Sequence, residues 1–243
     1  MFPIISAIIL IVVVILILPE VLAFVAKMKF TNGNTAAALK WFAIANRLGK
    51  LGIESLRYYG YILLRDGQPE LAKTILTKAS LDSKKPAQKK RIKTMLALCE
   101  WQCGDLETAI EMSEEAMVDF ENTNLYQNLG LMYILSGNGH KALEFNKKAY
   151  EYNSDDMVIM DNLAESYELV GDIARAKELY EKLLEKEPHF PEPYYSYGKL
   201  LCDMGEKERG IELIEQSLEK RFTHLSVLQK EEVEKILEDV RNS

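Results

Sequence analysis

The sequence predicts an all-α array of stacked helix pairs, and three observations carry that prediction. Glycines stand at Gly33, Gly67, Gly104, Gly137, Gly171 and Gly205, at steps of 34, 37, 33, 34 and 34 residues. Each is followed five residues later by a small residue: Ala38, Ala72, Ala109, Ala142, Ala176 and Gly210. Between these marks apolar residues recur at helical spacing, in a chain of 243 residues with only seven prolines and 28% charged residues. A fixed period of this size means one supersecondary unit stacked on copies of itself, each burying a face that it cannot bury alone. Such an array points to binding rather than chemistry.

The first 30 residues are of different composition. Phe2 to Leu18 is a run of 17 residues without a charge, about 25 Å of helix at about 1.5 Å per residue. Pro19 and Glu20 interrupt it, and Val21 to Ala26 restores the apolar character. A transmembrane anchor is therefore expected over residues 2–26, with Glu20 near one interface. Residues 1–26 contain no Lys or Arg, whereas Lys27, Lys29, Lys40, Arg47 and Lys50 follow. By the positive-inside tendency this places the N-terminus outside an inner or plasma membrane and the remainder in the cytoplasm. The alternative is a cleaved signal peptide ending at Val21-Leu22-Ala23, or a reversed topology, giving a secreted or envelope-exposed module concerned with envelope or polysaccharide export. That reading lacks the usual basic leader. Cys99, Cys103 and Cys202 are odd in number and have no framework spacing, so no disulfide scaffold is expected.

The period orders the rest of the chain. Ala38, Phe42 and Ala45 fall in phase as the second helix of a partial repeat over residues 31–52, whose first helix would occupy about residues 19–31. The other reading makes Thr35 to Leu48 an N-terminal cap and residues 31–34 a free hinge. Five copies then occupy residues 53–89, 90–122, 123–156, 157–190 and 191–222. In the third, Leu125, Leu129, Met132 and Tyr133 recur at helical spacing, residues 136–139 break the run, and Ala142, Leu143, Phe145 and Ala149 resume it. This is a helix, a tight turn and a second helix. Residues 223–243 end the chain, with Leu228, Val233, Ile236 and Leu237 on one stripe of a capping helix.

Residues 123–156 resemble a tetratricopeptide repeat (TPR), with Tyr126, Leu129, Gly130, Tyr133, Gly137, Ala142 and Ala149 in the family's order. The next copy resembles it through Leu163, Ala164, Tyr167, Gly171, Ala176, Tyr180 and Pro188, and the one after through Tyr194, Tyr197, Gly198, Gly205 and Gly210. Asn146 and Ser113 depart from the pattern, standing where a large apolar residue is usual, and Glu100 stands where an aromatic is usual. The resemblance implies a right-handed superhelical solenoid and, with the apolar leader, similarity to repeat-bearing assembly proteins of bacterial inner membranes. It also implies a protein or peptide partner on a concave face lined by the first helix of each pair. The residues expected there are Arg57, Tyr61 and Arg65 near the membrane, then Leu98, Trp101, Gln127, Leu131 and Ile134, then Asp161, Glu165, Glu168, Tyr195 and Asp203. A face running from basic through apolar to acidic suits an extended or helical peptide of opposite polarity.

Asn128 and Asn162 share one position in adjacent copies, and in some members of the family asparagines there hold a peptide backbone. Lys84, Lys85, Lys89, Lys90, Arg91 and Lys93 form a basic cluster where the period stretches to 37, a candidate contact for anionic lipid. No catalytic residue, metal site or cofactor is expected: Cys99 and Cys103 are half of a zinc site at most, and no phosphate loop or nucleophile elbow is present. The net charge of −7 disfavours nucleic acid as a partner.

Overall fold

A computed structural model describes residues 2–118 and 120–242, with the backbone alone for residues 2, 3 and 6–12. The described residues form thirteen helices and no strand. They are α1 (Phe2–Thr31), α2 (Thr35–Leu48), α3 (Ile53–Arg65), α4 (Pro69–Asp82), α5 (Pro86–Gln102), α6 (Leu106–Met117), α7 (Thr123–Leu135), α8 (Gly139–Tyr152), α9 (Met157–Leu169), α10 (Ile173–Leu184), α11 (Glu192–Asp203), α12 (Lys207–Leu218) and α13 (Lys230–Asn242). The chain is an all-α solenoid of helix pairs in two compact units, Met1–Met112 and Ser113–Ser243.

The six period-marking glycines all take positive φ, between 73° and 92°. Each follows the first helix of a pair, where a left-handed residue lets the chain reverse. A Cβ at Gly33, Gly104, Gly137, Gly171 or Gly205 meets nothing within 4 Å, so backbone conformation and not crowding selects glycine there. The next residue closes one helix and opens the other. The N–H groups of Asn34, Gln68, Asp105, Asp172 and Glu206 each donate back to the carbonyl five residues earlier at 2.9 Å. Several of these residues then cap the second helix, as when Asn34 Oδ1 accepts from the Ala37 N–H and Asp105 Oδ1 from that of Thr108. The turn at residues 31–34 is thus built like the other turns, and α1 and α2 pack as a helix pair.

That pairing bears directly on the expected anchor. Among the described residues no helix is long and apolar enough to cross a membrane. This overturns the single-pass assignment: the bilayer contact over residues 2–26, the outside N-terminus and the cytoplasmic array. The physical reason lies in Pro19–Ala26, which the span needed, because 17 residues fall short of a hydrocarbon core of about 30 Å. Pro19, Ala23 and Ala26 are buried in unit 1. Glu20, expected at an interface, instead caps α3: its carboxylate accepts from the Gly52 N–H at 2.5 Å and from the Ser55 hydroxyl at 2.7 Å. Gly52 has no side chain with which to cap that helix itself, so the cap arrives from α1.

The stretched step also resolves structurally. Its extra residues lengthen α5 to 17 residues, against 13 for α3, α7 and α9. Of the basic cluster only Lys84 and Lys85 lie in a connection; Lys89, Lys90, Arg91 and Lys93 ride on α5. The last helix begins at Lys230, later than the stripe suggests, and Val233 and Leu237 seal Ile214 of α12.

Candidate functional site

In unit 1 the first-helix positions are already engaged. Arg57 donates to Glu54 at 2.9 and 3.0 Å. Arg65 donates to the Tyr61 hydroxyl at 3.3 Å and lies over the Phe30 ring. Leu98 and Trp101 are half-buried on α5, where Glu100 pairs with Lys73 at 2.7 Å. Cys99 is buried and burial lifts its thiol to about 12, so it is held as a neutral core thiol, while Cys103 is exposed.

In unit 2 the largely apolar interior of α7–α9 also holds polar side chains. Asn146 is fully buried on α8, and its amide donates to the Gly130 carbonyl at 3.3 Å and the Ser166 hydroxyl at 2.9 Å. A Cβ at Gly130 would stand 2.0 Å from Asn146 Oδ1, so the buried amide uses the space that the glycine leaves. Asn162 donates to the Gln127 carbonyl at 2.8 Å and is 3% exposed, so its amide is held by α7. Gln127 in turn donates to both carboxylate oxygens of Asp156, the N-cap of α9. Asn128, Leu131 and Ile134 are half-buried on α7.

The acidic end differs in kind. Asp161, Glu165 and Glu168 lie at i, i+4 and i+7 on α9 and so share one face. Asp161 is 4% exposed, and its Oδ1 is buried without a hydrogen-bond partner among the described residues. Glu165 and Glu168 are partly exposed beside it. Ser196 of α11 donates to Glu165 at 3.0 Å, and the fully buried Tyr180 of α10 donates to Glu168 at 3.4 Å. Burial first, then the neighbouring carboxylates Glu165, Glu192 and Glu168, push Asp161 well above the usual carboxylate range. Burial, reinforced by Glu168 and Glu192 and opposed by Ser196, raises Glu165 to about 7. Burial raises Glu168 as well, against the pull of Lys199. Burial also raises Glu192, the member that periodicity did not single out, because it sits at the start of α11 and away from the face stripe. Tyr195 is half-buried on α11, and Asp203 is exposed at the end of that helix.

No three His, Cys, Asp or Glu side chains converge to hold a metal ion among the described residues. Asp161, Glu165 and Glu168 thus offer a row of carboxyl groups with one neutral donor each at most and no buried cation among the groups that set their ionisation.

The sequence model of the tetratricopeptide repeat matches residues 169–230. A TPR repeat-containing protein of Methanocaldococcus jannaschii is 40% identical over 65 residues, 27% of this chain, which spans only 20% of that relative's length. A TPR protein of Thermus thermophilus superposes with a TM-score of 0.66 at 16% identity, covering 79% of this chain and all of the other. The Cut9–Hcn1 hetero-tetramer of the APC/C superposes with a TM-score of 0.71 at 12% identity, covering 90% of this chain and 42% of the other. Residues 169–230 thus match the tetratricopeptide repeat, and the described residues share the fold of these repeat structures. The matches do not support the expected bacterial origin.

Proposed function

We propose that the first-helix face of unit 2, formed by α7, α9 and α11, receives an extended or helical segment of a protein partner, and that the chain acts as a non-catalytic scaffold. One observation carries the reading. Gln127 and Tyr195 at one repeat position, and Leu131 and Glu165 at another, stay half-buried, with Asp161 and Asn162 buried at the positions that Gln127 and Asn128 hold one copy earlier, whereas Ala142, Ala149, Ala176 and Tyr180 of the second helices are sealed. A partly exposed stripe mixing apolar, amide and acidic groups on rigid helices is suited to recognising a peptide. The fold supports the reading as well, since Cut9, which shares it, is found assembled with Hcn1. In unit 1, Arg57, Tyr61, Arg65, Leu98 and Trp101 form the corresponding stripe, which we assign the same role.

A photoreactive residue at Leu131, compared with one at the exposed Glu144 of α8, tests the assignment in intact cells. Capture of a discrete protein at Leu131 and not at Glu144 is the expected result. Equal capture at both positions would show that the face has no special role.

A further inference from the structure

We propose that Asp161, Glu165 and Glu168 form a socket for one cationic side chain of the partner, an arginine guanidinium. The inference rests on the reading of the first-helix face as the contact surface and names the chemistry that this face selects. Asp161 supplies the main argument. Its side chain is almost wholly buried, yet Oδ1 has no donor among the described residues, whereas the great majority of buried polar atoms in folded proteins are paired. A donor arriving with a ligand completes it. Glu165 and Glu168 continue the carboxyl row from Asp161 on the same face of α9, and they are partly exposed, so they form the mouth through which a side chain enters.

The donors already present are neutral: the Ser196 hydroxyl on Glu165 and the Tyr180 hydroxyl on Glu168. Lys199 of α11, exposed to solvent, is the cation facing the cluster, and it bears on Glu168, leaving Asp161 and Glu165 without a counter-charge. Geometry selects the kind of cation. The carboxyl groups do not converge on a point as metal ligands do. A guanidinium presents five N–H donors in a planar fork and can bridge carboxylates one helical turn apart. The face would thus read an arginine by charge and shape, while the apolar and amide residues on α7 take the flanking segment.

The test uses the full chain with n-butylguanidinium chloride as probe, at pH 8, read by carboxyl carbon NMR. Tetramethylammonium chloride at equal ionic strength is the control for general screening. Saturable shifts of the Asp161 and Glu165 carboxyl carbons by the guanidinium alone are expected, with Glu54 of unit 1 as an unresponsive reference. The Asp161→Asn, Glu165→Gln double variant should weaken probe binding at least tenfold while melting no lower than the parent, since it removes a buried acid and the partly exposed acid beside it. Absence of saturable shifts, or undiminished binding by the variant, overturns the socket. Repeating the Leu131 capture on the variant separates the two readings. Undiminished capture there rejects the arginine anchor and leaves the contact face standing, whereas loss of capture in the variant alone supports the anchor.

Discussion

Arg57 in unit 1 and Asp161 in unit 2 stand at the same repeat position, 104 residues apart as Gly67 and Gly171 are, and the same holds for Tyr61 and Glu165. Their fates differ because their neighbours differ. Three residues before Arg57 stands Glu54, whose carboxylate takes the guanidinium in two hydrogen bonds. Three residues before Asp161 stands Val158, which offers nothing. Arg57 keeps about a third of its side chain in solvent, at 32%, whereas Asp161 is 4% exposed. One repeat template therefore carries a finished ion pair in one unit and an unfinished acid in the other. The arginine reaches its face already paired, and a buried acid that its own chain leaves unsatisfied is open to a ligand.

The largest effect that can probe this contrast comes from a second pair of equivalent positions. Gly60 faces Leu76 in unit 1, and Gly130 faces Asn146 in unit 2. Gly130→Ala drives a Cβ into the buried Asn146 amide and disturbs its bonds to Gly130 and Ser166, so a loss of about 3 kcal/mol is expected. Gly60→Ala crowds an apolar side chain that can shift, at about 2 kcal/mol. Both tryptophans, Trp41 and Trp101, lie in unit 1, so their fluorescence follows that unit during urea unfolding while hydrogen exchange follows α7–α9. A larger loss from Gly60→Ala would mean that polar content does not make unit 2 the less forgiving.

Next in size is a pH effect confined to unit 2. The Glu165 carboxyl is raised from 4.5 to about 7, so between those values the folded chain holds a proton that the unfolded chain has released. Stability from this group is complete below pH 4.5 and is lost as pH rises through 7. The expected decline is about 3 kcal/mol between pH 4.5 and pH 8. Urea unfolding at the two values, repeated on Glu165→Gln, measures it, and an equally steep decline in the variant would assign the slope to other groups. Unit 1 supplies the third effect: Glu20→Ala removes the cap from α3 and should lower stability by about 1–2 kcal/mol, read by tryptophan fluorescence. Smallest is Arg57→Gln, where loss of an exposed pair should change stability by no more than about 0.5 kcal/mol. A larger change would show that the paired unit relies on its charges more than surface exposure implies.

Much of the fold was legible along the chain because the repeat is a local device. The left-handed glycine, the capping residue after it and the small residue five positions on act within one turn, and spacing alone exposes them. The leader shows where such reading stops. Its composition is that of a membrane span, but Pro19, Glu20, Ala23 and Ala26 belong to the packing of α1 in unit 1, and nothing near Glu20 in sequence announces the Gly52 N–H that it caps. Asn162 has the right repeat position for holding a peptide, yet its amide is bonded to the carbonyl of Gln127, 35 residues earlier.

By itself the sequence determined the period, the helix pairs and the turn chemistry, since all of these depend on contacts within a few residues. Only the tertiary structure decided which charges were already satisfied. Arg57 and Asp161 look alike as groove candidates in sequence, but desolvation and hydrogen bonding depend on neighbours that the chain brings back from a distance. Those neighbours leave the arginine paired and the aspartate open.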